Sequence, residues 1–233
     1  MMLRHCLRGA TFALALAAIP CAFAQTVGSE PPNVGEAAHA ARIYHDSGRY
    51  AHDLDTVLSQ ADAWITQRAP NVRKPAVVLD IDETSISNWP EIQADDFGYV
   101  PNGPCEHLPN GPCGWLAWEA TLRAAAIPGT LTLVRNAQAH GVAVFFVTAR
   151  HESERSVTEN NLRAAGYANW SGLVLRPEGQ HTPGAGSYKS GARAAIEAQG
   201  YAIVANIGDQ PSDLAGGHAE RGFLLPNPFY RVP

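Results

Sequence analysis

Three carboxylates fall within four residues in VVLDIDETSISN (77–88), at Asp80, Asp82 and Glu83, directly after the apolar run Ala76 to Leu79. Acidic residues are poor strand formers and are seldom buried unpaired, so a strand that runs into them needs a reason. Asp209 and Asp213, in GDQPSDL, follow a second apolar run, and Thr148 follows a third. Carboxylates a few ångström apart cannot all stay ionised unless a cation lies among them. Asp80, Asp82, Asp209 and Asp213 would supply hard oxygen ligands that suit Mg²⁺, whereas zinc would ask for nearby His or Cys. Thr148 adds a hydroxyl, the amides at the start of the following helix an anion site, and Lys189 a mobile charge beyond a Gly- and Pro-rich loop. Together these describe a nest for a phosphoryl dianion, whose transfer depends on positioning and charge stabilisation. Taken singly, each has a plainer reading: surface charge for the DxD, a turn with an Asp N-cap for GDQPSD, a solvated lysine.

Elements must bring these residues together. Apolar spacing predicts helix from Glu36 to Arg68, broken near Ser47-Gly48, then a strand over Ala76–Leu79. Residues 85–113 show no period. Helices are expected over Gly114–Ala126, Thr130–His140, Glu152–Ala165 and Ser190–Gln199. Strands are expected over Val142–Val147, Leu173–Leu175, Ala202–Ile207 and, at an edge, Gly222–Leu225. Strands without alternation, separated by helices, imply an α/β fold: a three-layer, Rossmann-like parallel sheet with helices on both faces. Ligands in such folds bind at the carboxyl ends of the strands, where Asp80–Thr84, Thr148–Arg150 and Gly208–Asp213 would meet. One intervening residue in a strand would point Asp80 and Asp82 the same way and Ile81 into the core.

DIDET, VTAR, YKSGAR and IGDQPSD resemble, in order, the four motifs of the haloacid-dehalogenase-like hydrolases. The DIDET form, with an export signal and Asn88 after it, resembles the class C (DDDD-type) bacterial acid phosphatases, exported enzymes acting on nucleotides and other phosphomonoesters. The resemblance spans residues 76–213. It implies that Asp80 is a nucleophile forming an aspartyl phosphate, and that Asp82 protonates the leaving oxygen and binds Mg²⁺ through its carbonyl. It further implies that Thr148, Ala149 and Lys189 hold the phosphoryl oxygens, that Asp80 and Asp209 ligate Mg²⁺, and that Asp213 supports the ion. The substrate class that the resemblance implies is small phosphomonoesters, nucleoside 5′-monophosphates among the candidates. This chain departs from the pattern in three places. Leu214 stands where an aromatic usually follows the last aspartate, Trp89, Tyr99 and Trp115 compete for a tyrosine's role, and the signal lacks a lipid box. Phosphotransfer to alcohols and a non-catalytic phosphate-binding relative are the alternatives; the latter should have lost Asp80. A phosphorylatable receiver module would not place its acids as DxD.

Residues 1–24 read as a signal peptide, with Arg4, His5 and Arg8 before the apolar Ala10–Ile19 and an Ala22-Phe23-Ala24 cleavage pattern. The destination is the periplasm or the exterior. Cleavage leaves 15 basic residues against 22 acidic ones, which argues against nucleic-acid polymers and anionic membranes as partners. No later apolar run could span a membrane. In an exported chain, Cys105 and Cys113 of PNGPCEHLPNGPC read as a disulfide, since His107 alone makes a thin zinc site. Residues 25–70 form an N-terminal helical extension and 71–233 the catalytic core, with a small cap-like insert at 85–128. Its aromatics, Trp89, Phe97, Tyr99, Trp115 and Trp118, mostly serve packing, with one or two left to meet the substrate. The oligomeric state, a homodimer included, stays open.

Overall fold

The computed structural model describes residues 31–179 and 184–232; the expected signal segment lies outside them. Helices α1 (Val34–Asp46) and α2 (Arg49–Arg68) meet at the expected break, where Gly48 takes a left-handed conformation. Strand β1 (Pro75–Leu79) opens on a proline, tolerable at a first strand position. Short β2 (Ile86–Ser87) and helix α3 (Trp89–Ala94) follow. Helix α4 (Trp115–Ala120), β3 (Ala125–Ala126) and α5 (Pro128–Ala139) lead to β4 (Ala143–His151). Then come α6 (Arg155–Ala164), β5 (Gly172–Arg176), α7 (Gly184–Ala198), β6 (Ala202–Gly208), α8 (Pro211–Leu214) and β7 (Gly222–Leu224).

Five strands form one parallel sheet in the order β5-β4-β1-β6-β7, and β2 pairs with β3 in a separate antiparallel ribbon. The apolar runs lack alternation because both faces are covered. Val77 and Leu79 of β1 join Val144 and Phe146 beneath Leu54, Leu58 and Ile65 of α2 and Leu133 of α5. Ala76 and Val78 face the other way, with Phe145, Val147 and Ile203, against Ala192 and Ile196 of α7. Chain order reverses at β1, between β4 and β6, so the crevice for a ligand opens at the carboxyl ends of these three strands.

Four expectations about elements need correction. The helix expected to reach Ala126 stops at Ala120; Leu122 turns left-handed, and Ala125–Ala126 pair with Ser87 and Ile86. That partner is distant in sequence, so local periodicity could not show it. Strand β4 continues past Val147 to His151, carrying Thr148, Ala149 and Arg150 beyond the sheet's centre. The helix expected from Glu152 begins with a 3₁₀ turn, Glu152–Glu154, and is α-helical only from Arg155. Finally, α7 starts six residues before Ser190. Gly184, Gly186 and Gly191 weaken its helical signal, yet Ala185, Lys189, Ala192 and Ile196 share one buried face.

Candidate active site

The turn after β1 collects the acids. Ser85 and Ile86 both donate backbone N–H bonds to the Ile81 carbonyl, and Ile81 is buried in the core as expected. Glu83 sits at φ 52°, a left-handed conformation costly for a branched-free but bulky side chain, which the surrounding bonds hold in place. Asp80, Asp82, Thr148, Ala149, Arg150 and Asp209 thereby line one cavity of about 420 Å³ at the carboxyl ends of β1, β4 and β6.

Asp80, Asp209 and Asp213 each bring a carboxylate oxygen within 4.8 Å of the others, and all three are buried. Gly208 is required here, because a Cβ at that position would collide with the Asp213 side chain. Lys189 Nζ reaches Asp80 Oδ1 and Asp213 Oδ1, each at 2.5 Å. The expected mobile lysine is therefore fixed. It projects from α7 at 4% exposure, held against Asp80 and Asp213.

One ammonium does not balance three carboxylates. Burial pushes the Asp80 carboxyl well above its ordinary range, against the pull of Lys189, and Asp213, Asp209 and Asp82 push it further. Burial and Asp213 raise Asp209 as well, tempered by hydrogen bonds from Asn227, Gln210 and Thr84. Burial alone would depress the Lys189 ammonium, but Asp80 and Asp213 hold it above the usual lysine range. A hard cation among these oxygens would relieve the excess negative charge, and the all-oxygen donor set suits Mg²⁺ or Ca²⁺ over zinc.

The Asp82 carboxylate is not part of that triad. Arg150 grips it with Nε to Oδ2 at 3.0 Å and Nη2 to Oδ1 at 2.6 Å, and Asn88 Nδ2 donates to Oδ1 at 2.9 Å. Burial would raise this carboxyl, but the Arg150 guanidinium beside it holds it below the ordinary value. Asp80 and Asp82 thus face one cavity with opposite environments. The helix start after Arg150 is less open than its position suggested. The His151 amide donates to the Glu154 carboxylate, and Ser153 N donates to Glu178 Oε1 at 3.0 Å.

Several site residues were not singled out by sequence reasoning. Arg150 stood inside the quoted VTAR motif without a role. Glu83 binds the Asn88 amide at 2.5 Å and Tyr230 Oη at 2.7 Å, and burial beside Asp82 pushes it up to about 8. Asn227 and Tyr230, far along the chain, carried no local signal. Of the competing aromatics, Tyr99 and Trp115 line the cavity, together with the insert's Phe97. Trp89 instead stacks on His45, with ring centroids 3.7 Å apart, and Trp118 is buried with its Nε1 on Asn88 Oδ1 at 2.8 Å. Leu214 packs beside Gly222, where a Cβ would lie 3.3 Å from its side chain. Cys105 and Cys113 are disulfide-bonded.

The fold matches that of a class C acid phosphatase from Bacillus anthracis, with a TM-score of 0.67, 21% identity and coverage of 85% of this chain and 86% of that one. The chain is 35% identical to the stem 28 kDa glycoprotein of Glycine max, over 84% of this chain and 75% of the relative. It is 34% identical to acid phosphatase 1 of Solanum lycopersicum, over 82% and 67% respectively. It is 32% identical to vegetative storage protein 1 of Arabidopsis thaliana, over 80% and 67%. The family model of the haloacid dehalogenase (HAD) superfamily, subfamily IIIB (acid phosphatase), matches residues 16–233. The chain belongs to this family of acid phosphatases.

Proposed function

We propose that this acid phosphatase hydrolyses small phosphomonoesters with Mg²⁺ through an aspartyl phosphate on Asp80. The observation that carries the reading is the pairing of environments on one cavity wall. Asp80 lies in the buried carboxylate triad with Lys189, and Asp82 lies beside it on Arg150 and Asn88. Asp80, Asp209 and the Asp82 carbonyl would hold Mg²⁺, with Asp213 in support. The bound ion supplies charge neutralisation, so that a carboxylate can approach a phosphoryl dianion.

In this reading an Asp80 oxygen attacks phosphorus, and the bond from phosphorus to the ester oxygen breaks. Asp82 gives its proton to that departing oxygen. A water then attacks the phosphoryl group, Asp82 takes the water's proton, and the Asp80–phosphorus bond breaks to release phosphate. Lys189 stays against Asp80, while the Thr148 hydroxyl and the Ala149 amide hold phosphoryl oxygens. Arg150 opposes the protonated form of Asp82, so an acidic medium favours the first step. The rim of Phe97, Tyr99 and Trp115 suits a nucleobase or aryl leaving group. The basic start, the cleavage pattern and the disulfide support export to the periplasm or exterior.

Relatives named as storage proteins favour a second reading, in which the fold serves as a binding or reserve protein. The complete acidic floor argues for catalysis. Phosphate release over a panel of nucleotides, sugar phosphates and aryl phosphates, with Mg²⁺ and with excess chelator, separates the two. Release that needs the ion supports the proposal. Release undiminished in chelator sinks its metal dependence, and none on any substrate sinks the enzyme reading.

A further inference from the structure

The chain does not stop at the edge strand. After β7 it turns back along the mouth of the crevice, and Tyr230, Arg231 and Val232 become part of the cavity wall. Two prolines, Pro226 and Pro228, restrict Leu225 and Asn227 to extended backbone and stiffen the segment. Leu225 N donates to the Gly208 carbonyl at 2.8 Å, at the end of β6. Phe229 is buried against Tyr50, with ring centroids 4.9 Å apart, and against Trp89 at 5.0 Å.

The polar groups of the segment do something else. Asn227 is buried at 3% exposure, and its Nδ2 donates to Asp209 Oδ2 at 2.7 Å. Its orientation is determined by the chain itself, because Phe229 N donates to Asn227 Oδ1 at 2.9 Å and leaves the amide nitrogen facing Asp209. Gln210 Nε2 donates to the same Oδ2 at 2.5 Å, and Val232 N donates to Gln210 Oε1 at 3.2 Å. Asp209 Oδ1 receives only the Thr84 hydroxyl, at 3.0 Å, among the hydrogen bonds of the described residues. Oδ2 is therefore saturated and Oδ1 is the oxygen left with capacity for a cation.

Three residues later Tyr230 Oη donates to Glu83 Oε2 at 2.7 Å. Glu83 accepts from the Asn88 amide at 2.5 Å and from Asn88 Nδ2 at 3.1 Å, and that same Nδ2 donates to Asp82 Oδ1 at 2.9 Å. One eight-residue segment thus reaches two carboxylates of the site, Asp209 directly and Asp82 through Glu83 and Asn88.

We propose that residues 225–232 are a positioning strap, in which Asn227 orients Asp209 toward its cation and Tyr230 orients Asp82 for proton transfer. The inference rests on the roles given above to Asp209 and Asp82. The two halves have separable signatures. Asn227→Ala weakens Mg²⁺ binding, measured by calorimetry on the mature chain without substrate, by about tenfold or more. At saturating Mg²⁺ its KM for p-nitrophenyl phosphate stays at the parent value. Tyr230→Phe keeps the ring and its packing; it leaves Mg²⁺ affinity and KM at the parent values and lowers kcat by about tenfold. Should Asn227→Ala fail to fold, Asn227→Ser retains an acceptor for the Phe229 amide while being too short to reach Asp209, and the same loss is expected.

Folded Asn227 variants with the parent's Mg²⁺ affinity, or Tyr230→Phe with the parent's kcat, overturn the strap while the phosphatase reading stands. A parent chain that binds Mg²⁺ but releases no phosphate overturns the reaction and with it Tyr230's part in proton transfer, while weaker ion binding by the Asn227 variants still supports Asn227's hold on Asp209. A parent that does neither overturns both.

Discussion

The floor of the cavity and its rim are built in different ways. The floor comes from strand ends: Asp80 beyond β1, Thr148 in β4 and Asp209 beyond β6, each at 7% exposure or less. The rim comes from the segment after α3 and the first residue of α4, where Tyr99 is 71% exposed and no strand of the main sheet runs. The floor is rigid because its backbone belongs to a parallel sheet with both faces packed. The rim is held instead by the Cys105–Cys113 disulfide and by the Cys113 amide, which donates to Asp95 Oδ1 at 2.8 Å, at the end of α3. On the proposed function, chemistry that needs sub-ångström placement would sit on the sheet, and contact with a variable leaving group on the stapled loop. Such a division would let one reaction serve many esters, since the rim could change without moving the floor.

The largest test of this contrast is Asp80→Asn. Removing the proposed nucleophile's charge from the floor should lower kcat by about 10⁴-fold or more without unfolding the protein, as followed by rapid-quench labelling and thermal melting. Label carried by a histidine would place the chemistry elsewhere. Asp209→Asn should be smaller, raising the Mg²⁺ concentration for half-maximal activity by about 10- to 100-fold. The metal-free Asn variant should melt no lower than the metal-free parent, because one of the crowded carboxylates has lost its charge. An unchanged Mg²⁺ curve would reduce the triad to an acidic turn.

The structure also sets a pH dependence of stability away from the floor. Burial, with Asp95, Glu83 and Asp82 adding to it, pushes Glu91 from 4.5 up to about 8. Burial pushes Glu119 likewise up to about 8, against Arg150 and with Asp82 and Glu154. Between those two values each group is more readily protonated in the folded chain than in the unfolded one. Their effect is most favourable below about 4.5 and is lost as pH rises toward 8. Asp82 has the opposite sign, since its lowered value favours the fold above the ordinary aspartate range and loses that contribution on acidification. Denaturant midpoints should therefore fall between about pH 5 and pH 8, and Glu119→Gln should flatten the decline. A midpoint that rises over this range would contradict the burial of both glutamates as protonated acids.

The smallest effect belongs to the rim. Tyr99→Ala or Trp115→Ala should raise KM for an aryl phosphate by about 2- to 10-fold and leave glycerol phosphate unchanged. Equal losses on both substrates would mean that the rim supports the floor and does not select the leaving group.

Much of the floor was legible along the chain. DIDET, VTAR and GDQPSD each follow an apolar run, and a parallel sheet necessarily delivers such run ends to one edge. What stayed hidden has a common cause. Lys189 looked mobile because glycines obscured the start of α7, and only the packed helix shows it buried between Asp80 and Asp213. The helix expected through Ala126 gave way to a strand whose partner lies about forty residues earlier, and no local pattern carries that information.

The sequence by itself determined which apolar runs form the sheet, the acidic residues that follow them, the cysteine pair and the parallel α/β arrangement, since each is a matter of local residue type and hydrophobic period. Tertiary structure alone decided which carboxylates lie close enough together to hold a cation and which one Arg150 holds apart. It also decided which aromatics reach the cavity and that Asn227 and Tyr230 belong to the site. Those outcomes depend on side chains up to 147 positions apart meeting at a few ångström, as Glu83 and Tyr230 do. Burial then converts each such meeting into a large electrostatic difference, because in a dry environment the nearest partner, rather than water, sets the charge.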